Sequence, residues 1–233
     1  MTRAFPCLPS QSESAVTPDV TVLIASHRSQ FLTYALNSVW HQTIDVGRIQ
    51  ILVNYCEHPS NFHYAWNDMA SIARGKYLCI LGDDDTLEPH YFEHTLSALD
   101  ATGADIAYTN TKGAHRNPDG SVKYKNVYTP PSSVSLKEMT EGNKIWQSSV
   151  VRKAAWDRVN GYDMALEYVH DWDFWLRVLK SGGQAIYVPI DGWIHYTHDG
   201  PRVTTSSNRE RAFAALHAKH PDLFGLARSH DLP

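Results

Sequence analysis

The chain has 233 residues, 42% hydrophobic and 20% charged, a balance that excludes a disordered chain and suffices for a core without disulfide or metal staples. Lys and Arg number 21 against 25 Asp and Glu, a formal net charge of -4, which excludes a globally basic nucleic-acid coat but leaves local patches open. Cys7, Cys56 and Cys79 cannot form a disulfide framework, and no run approaches the ~20 apolar residues of a membrane span, so a cytoplasmic protein with no integral membrane segment is expected.

Residues 1–17 are rich in Ser and Pro with no apolar stretch behind Arg3, and read as a flexible tail. A single domain is expected over 18–233. Val20 to Ala25 is a β-branched apolar run, the mark of a strand buried on both faces. Leu32, Leu36, Val39 and Trp40 follow at helical spacing through Gln42. Ile49 to Val53 predicts a second buried strand, Phe62 to Arg74 a helix, and Tyr77 to Leu81 a third strand ending in Gly82-Asp83-Asp84-Asp85. Cys79 lies inside that run as a small hydrophobe. A helix from about Pro89 to Ala101 and a strand from Asp105 to Thr109 complete a first half, 18–110. This alternation predicts an α/β fold with a mostly parallel sheet and helices on both faces. Ligands then sit outside the C-terminal strand ends, where Ser26-His27-Arg28, Asn54-Tyr55-Cys56 and Asp83-Asp84-Asp85 are predicted to converge.

The second half, 111–206, is less regular and predicts a mixed arrangement. Asn117-Pro118-Asp119-Gly120 reads as a hairpin turn between Thr109 and Val127. Ser135 and Glu138 have capping-box spacing. Trp146 to Val151 reads as a strand, Ala154 to Val159 as a helix, and Asp171 to Lys180 as a helix ended by Gly182-Gly183. Ala185 to Val188 and Trp193 to Tyr196 read as two short strands. Ser207 and Glu210 have capping-box spacing at the start of a C-terminal helix that ends before Pro221, within a last segment, 207–233. Lys112, Arg116, Lys123 and Lys125 permit a polyanionic partner, with a solvated loop as the plainer reading.

Three adjacent carboxylates repel one another by about 4 kcal/mol per pair at ~4 Å and an effective dielectric near 20. A divalent cation, Mg2+ or Mn2+, removes that cost, and so does open solvent around an acidic turn. Asp171, near a helix start, is either an N-cap or a general base. Trp172 and Trp175 are either core or flat platforms for a sugar or base, Trp175 fitting core better. His195 and His198 follow the last strand, either as surface residues or near a metal. Arg202 is a phosphate fork or a solvated side chain.

Several segments in order resemble the family 2 glycosyltransferases of the GT-A fold, over about Val20 to Ser206. They are Val22-Leu23-Ile24-Ala25-Ser26 with Ser38-Val39-Trp40-His41-Gln42-Thr43; Ala73-Arg74-Gly75-Lys76-Tyr77 leading to Leu81-Gly82-Asp83-Asp84-Asp85; Asn160-Gly161-Tyr162-Asp163; and His170-Asp171-Trp172-Asp173-Phe174-Trp175-Leu176-Arg177. The resemblance implies an inverting transfer of a sugar from a nucleotide-diphosphate sugar, a UDP-sugar in the first instance, to an acceptor hydroxyl. It makes 18–110 the nucleotide-binding half and 111–206 the acceptor side. Ser26, Arg28 and Asn54 would border the nucleotide, Asp83 the ribose, and Asp84 the divalent cation, with Asp85 and His198 as further metal ligands. Asp171 would be the catalytic base, and His170 and Trp172 would line the acceptor side. The acceptor stays open among glycan, lipid-linked glycan, metabolite, protein and modified nucleic-acid base. The sequence departs from the family at Asn54-Tyr55, where an Asp usually reads uracil, at Trp66, and at His170, where a Glu is usual. A non-catalytic nucleotide-sugar or glycan-binding module and a metal-dependent nucleotidyltransferase are the rival readings.

Overall fold

The computed structural model describes residues 17–27, 29–56, 62–166, 168–199 and 206–225. Most of the expected tail, Arg28, Arg202 and residues 226–233 lie outside the described residues. Strand β1 (Val20–Ser26) is buried at every position. Its side chains alternate between two cores: Val20, Val22 and Ile24 enter one, Leu23 and Ala25 the other. It pairs in parallel with β2 (Ile49–Tyr55) and with β3 (Tyr77–Ile80). Helix α1 (Ser29–Trp40) packs Ala35 and Val39 into the first core, and α2 (Phe62–Ile72) packs Ala65, Trp66 and Met69 into the second. Helices therefore cover both faces, as the alternation predicts. The expectation of a buried second strand is corrected: β2 is the edge of the sheet, and Val53 is 45% exposed.

Beyond β3 the sheet becomes mixed. Helix α3 (Tyr91–Thr102) leads to β5 (Ile106–Arg116), which turns into β6 (Val122–Tyr128) around Asn117–Gly120 as expected. Between β3 and β5 lies β7 (Val150–Arg152), antiparallel to both. The sequence predicts this strand from Trp146; residues 146–149 instead form a loop, because the Ser148 carbonyl is taken by the Tyr91 hydroxyl at 2.5 Å and the Cys79 thiol at 3.6 Å. Arg152 fixes the insertion by donating to the Leu99 and Ala104 carbonyls at the end of α3. The two short strands expected near the C-terminus are one long β8 (Ala185–Thr197), parallel to β5, with register shifts opposite Thr109–Thr111 that accommodate Pro189 and Gly192. A two-residue β4 (Thr86–Leu87) pairs with β8, giving the order β2-β1-β3-β7-β5-β8-β4 with β6 on β5.

The remaining helices are α4 (Leu136–Thr140), α5 (Lys153–Arg158), α6 (His170–Lys180), α7 (Ser206–Lys219) and α8 (Pro221–Phe224). The Ser135–Glu138 capping box is present at α4. Two glycines of the recognised motifs have steric roles. A Cβ on Gly75 would stand 2.5 Å from the Thr21 backbone nitrogen, so β1 and the start of β3 approach closely only with glycine there. Gly161 has φ +63°, and a Cβ on it would stand 2.6 Å from Asn67 Oδ1, which accepts the Tyr162 N–H at 2.9 Å. Among the described residues no helix is long and apolar enough to cross a membrane.

Candidate active site

The parallel strands β1 and β3 end on one rim, and the acidic turn leaves β3 there. Each of the three Asp side chains has its own partners. Asp83 Oδ2 accepts the Ser26 hydroxyl at 2.9 Å, with both residues buried. Asp84 Oδ2 lies 3.5 Å from His198 Nε2. Asp85 Oδ1 accepts the Tyr196 N–H at 3.0 Å, and both its oxygens face His195 Nδ1, at 3.2 and 3.4 Å. The turn thus grips the end of β8 across more than a hundred residues of sequence. Asn54, at the end of β2, lies beside this rim in register with Ala25, and its Oδ1 receives the Cys56 thiol at 3.7 Å.

Asp84 and His198 are spaced so that one ion can contact both. Among the described residues no three His, Cys, Asp or Glu side chains gather as a metal cage. A carboxylate oxygen and an imidazole nitrogen 3.5 Å apart fit a shared Mn2+ better than Mg2+, which prefers oxygen ligands alone; phosphate oxygens and water would complete the shell. Asp85 is committed to the Tyr196 amide and His195, which gives it a bracing role in the turn.

Asp171 is not the N-cap of α6; that position is Val169, which makes no side-chain cap hydrogen bond. Asp171 sits in the first turn. Its carboxyl is pushed up from 3.8 to about 6 by burial, against the opposing hydrogen bonds from the Trp172 N–H and from Asn143 Nδ2, the latter at 2.9 Å. A carboxyl titrating near 6 is ionised at neutral pH yet basic enough to take a proton.

The rings of His170 and Trp172, expected to line the acceptor side, pack against other side chains. The His170 ring packs among Trp66, Tyr162 and His63, and burial lowers its pKa to about 3, so it is a neutral imidazole. Trp172 is 7% exposed, donates to the Met139 carbonyl at 2.8 Å and meets Phe213 and Phe224 edge-on. Trp175, 1% exposed, is core as expected.

Two residues missed in the sequence join the parts. Asn143 donates to Asp171 and accepts the Ile145 N–H at 3.2 Å, which fixes its amide. Trp146, three residues on and so within about 11 Å along the chain, stacks on His195 with ring centroids 6.5 Å apart. One loop therefore carries a contact to Asp171 and a contact to the partner of Asp85. No local signal marks Asn143, because its contact with Asp171 spans 28 residues of sequence. We expect Asn143→Ala to leave the ionised form of Asp171 with one donor fewer. The acid limb of the rate profile should move up from about pH 6 by roughly half a unit to one unit; a limb that stays in place would remove Asn143 from this role.

A family model described as Glycosyl transferase family 2 matches residues 49–156. No curated protein matches the sequence. Among solved structures, a crystal structure of S. aureus TarS superposes with a TM-score of 0.65 at 12% identity, covering 86% of this chain and 39% of that one. TarS 1-349 in complex with UDP gives 0.64 at 12% identity, covering 86% and 65%. TarS 1-349 in complex with UDP-GlcNAc gives 0.65 at 12% identity, covering 86% and 66%. The chain thus spans well under half of the longer TarS chain and just under two thirds of the shorter ones. These likenesses establish the GT-A fold expected from the sequence.

Proposed function

We propose that this chain, whose segment 49–156 belongs to glycosyl transferase family 2, moves a sugar from a nucleotide-diphosphate sugar to an acceptor hydroxyl with inversion at the anomeric carbon. The observation that carries the reading is the Asp171 carboxyl, raised by burial to about 6 and hydrogen-bonded to Asn143 on a loop that also stacks Trp146 on His195, the partner of Asp85. A UDP-linked donor is favoured because fold relatives were solved in complex with UDP and UDP-GlcNAc.

In this reading Ser26 and Asn54 border the base and Asp83, held by Ser26, approaches the ribose. Asp84 and His198, 3.5 Å apart, would hold the divalent cation, which when bound would neutralise charge developing on the leaving diphosphate. Asp85 keeps the turn and the end of β8 in register. Asp171 takes the proton of the acceptor hydroxyl. The oxygen then attacks the face opposite the diphosphate, a carbon–oxygen bond forms as the bond to the diphosphate breaks, and the configuration inverts.

The test is turnover of a panel of nucleotide sugars with manganese, reading nucleoside diphosphate release and the anomeric configuration of the product by NMR. Retained configuration, or release of pyrophosphate from a nucleoside triphosphate instead, would overturn the proposal. Asp84→Ala is expected to weaken manganese-dependent donor binding by about tenfold or more, measured by titration calorimetry. Unchanged manganese-dependent affinity would take Asp84 out of the site.

A further inference from the structure

Beside the acidic rim lies a cavity of about 640 Å3, of whose lining the proposed transfer assigns a role only to His198. Its walls include Gln30, Phe31 and Tyr34 of α1, the turn between β5 and β6, and His198. Its cation is Arg116, the last residue of β5, which the sequence suggests is solvated and which is only 7% exposed.

The Arg116 guanidinium is sandwiched between two rings, with its carbon 3.9 Å from the centroid of Tyr34 and 4.1 Å from that of Tyr196. The rings satisfy its faces by cation–π attraction, but its N–H groups point outward in the plane and need acceptors. Nε is buried without a hydrogen-bond partner among the described residues. The acidic residue in the lining, Asp199, faces His115 Nε2 instead, at 3.5 Å. A buried guanidinium N–H without an acceptor is costly, and the planar fork that carries it matches an oxyanion. A second observation points the same way. The first turn of α1, a 12-residue helix with no acidic residue in that turn, borders the same cavity and brings its positive end to it.

We propose that this cavity is an oxyanion subsite in which Arg116 receives a phosphate or carboxylate group of a bound ligand through its in-plane N–H groups. The group belongs either to the donor's phosphates or to an anionic acceptor, and the chemistry at Arg116 is the same for both.

The test follows the thermal midpoint of metal-free protein in rising inorganic phosphate, with chloride at matched ionic strength. The wild-type midpoint should rise with the logarithm of phosphate concentration. In Arg116→Met the apparent Kd for phosphate should rise by about tenfold or more. Arg116→Gln gives a second reading should the Met variant fail to fold. No donor or metal enters these arms, so they are independent of the proposed reaction. Repeating the titration with saturating UDP separates the sources: a phosphate shift that vanishes assigns the subsite to the donor, and one that persists assigns it to a second, anionic ligand. A wild-type protein that phosphate does not stabilise, or variants that respond as the wild type does, would overturn the proposal.

Discussion

Asp171→Asn is expected to lower the transfer rate by about 10²–10⁴-fold, the usual worth of a positioned general base, and at the same time to stabilise the fold. Burial raises the Asp171 carboxyl from 3.8 to about 6. Between those values the native state holds a proton that the unfolded chain has released, so stability falls as pH rises through the window. Above about pH 6 the ionised carboxylate carries the whole penalty, at most about 3 kcal/mol at roughly 1.4 kcal/mol per unit. An amide avoids that penalty and still accepts the Asn143 N–H. Calorimetry at about pH 7.5 should show a higher midpoint for the variant, with the gain shrinking toward about pH 4. Near-normal turnover would remove Asp171 from the chemistry. A lower midpoint at neutral pH would mean that the carboxylate supports the fold instead of burdening it.

Asp173→Ala should be the most destabilising single change in this region, by about 3–5 kcal/mol. Asp173 is fully buried two residues from the base, yet its role is structural. Its carboxylate meets Arg177 Nε at 2.7 Å and both Lys219 Nζ and His220 Nε2 at 2.8 Å. Arg177 continues to the Val159 and Gly161 carbonyls, so one carboxylate ties α6 to the Gly161 turn and to α7 and α8. Burial acts to raise its pKa, but the His220 hydrogen bond, the Arg177 charge and the Lys219 contact outweigh it and hold the group at about 2. That depression adds stability that is fully present above about pH 4 and lost as pH falls toward 2. Alanine leaves three cationic or polar partners around an empty site. Urea unfolding at neutral pH and at about pH 3 measures both effects. A loss below about 1 kcal/mol at neutral pH would show that the partners find other acceptors.

The two aspartates show how far a sequence separates roles. Both lie in the His170–Arg177 segment that resembles the family motif, and both are acidic residues in the first turn of one helix. The strand–acid junction at Leu81–Asp85, the hairpin turn at Asn117–Gly120 and the Ser135 capping box were legible because each depends on neighbours within a few residues. The surroundings of His170 and Trp172 were not legible, because helical spacing gives the face of a residue but not what covers that face. Their covers, Trp66 and Met139 for example, come from distant segments.

By itself the sequence determined most of the elements, the two-faced burial of β1, the acidic rim at a strand end and the family resemblance, because periodicity, turn chemistry and charge are local properties of the chain. The tertiary structure alone decided that β7 enters antiparallel between β3 and β5, that Asp84 faces His198 while Asp85 grips Tyr196, that Asn143 aims Asp171, and that Arg116 is buried between two tyrosines. Each of these is a contact between segments far apart in sequence. Such contacts are fixed by the packing of the whole sheet and its helices, which no short window of residues encodes.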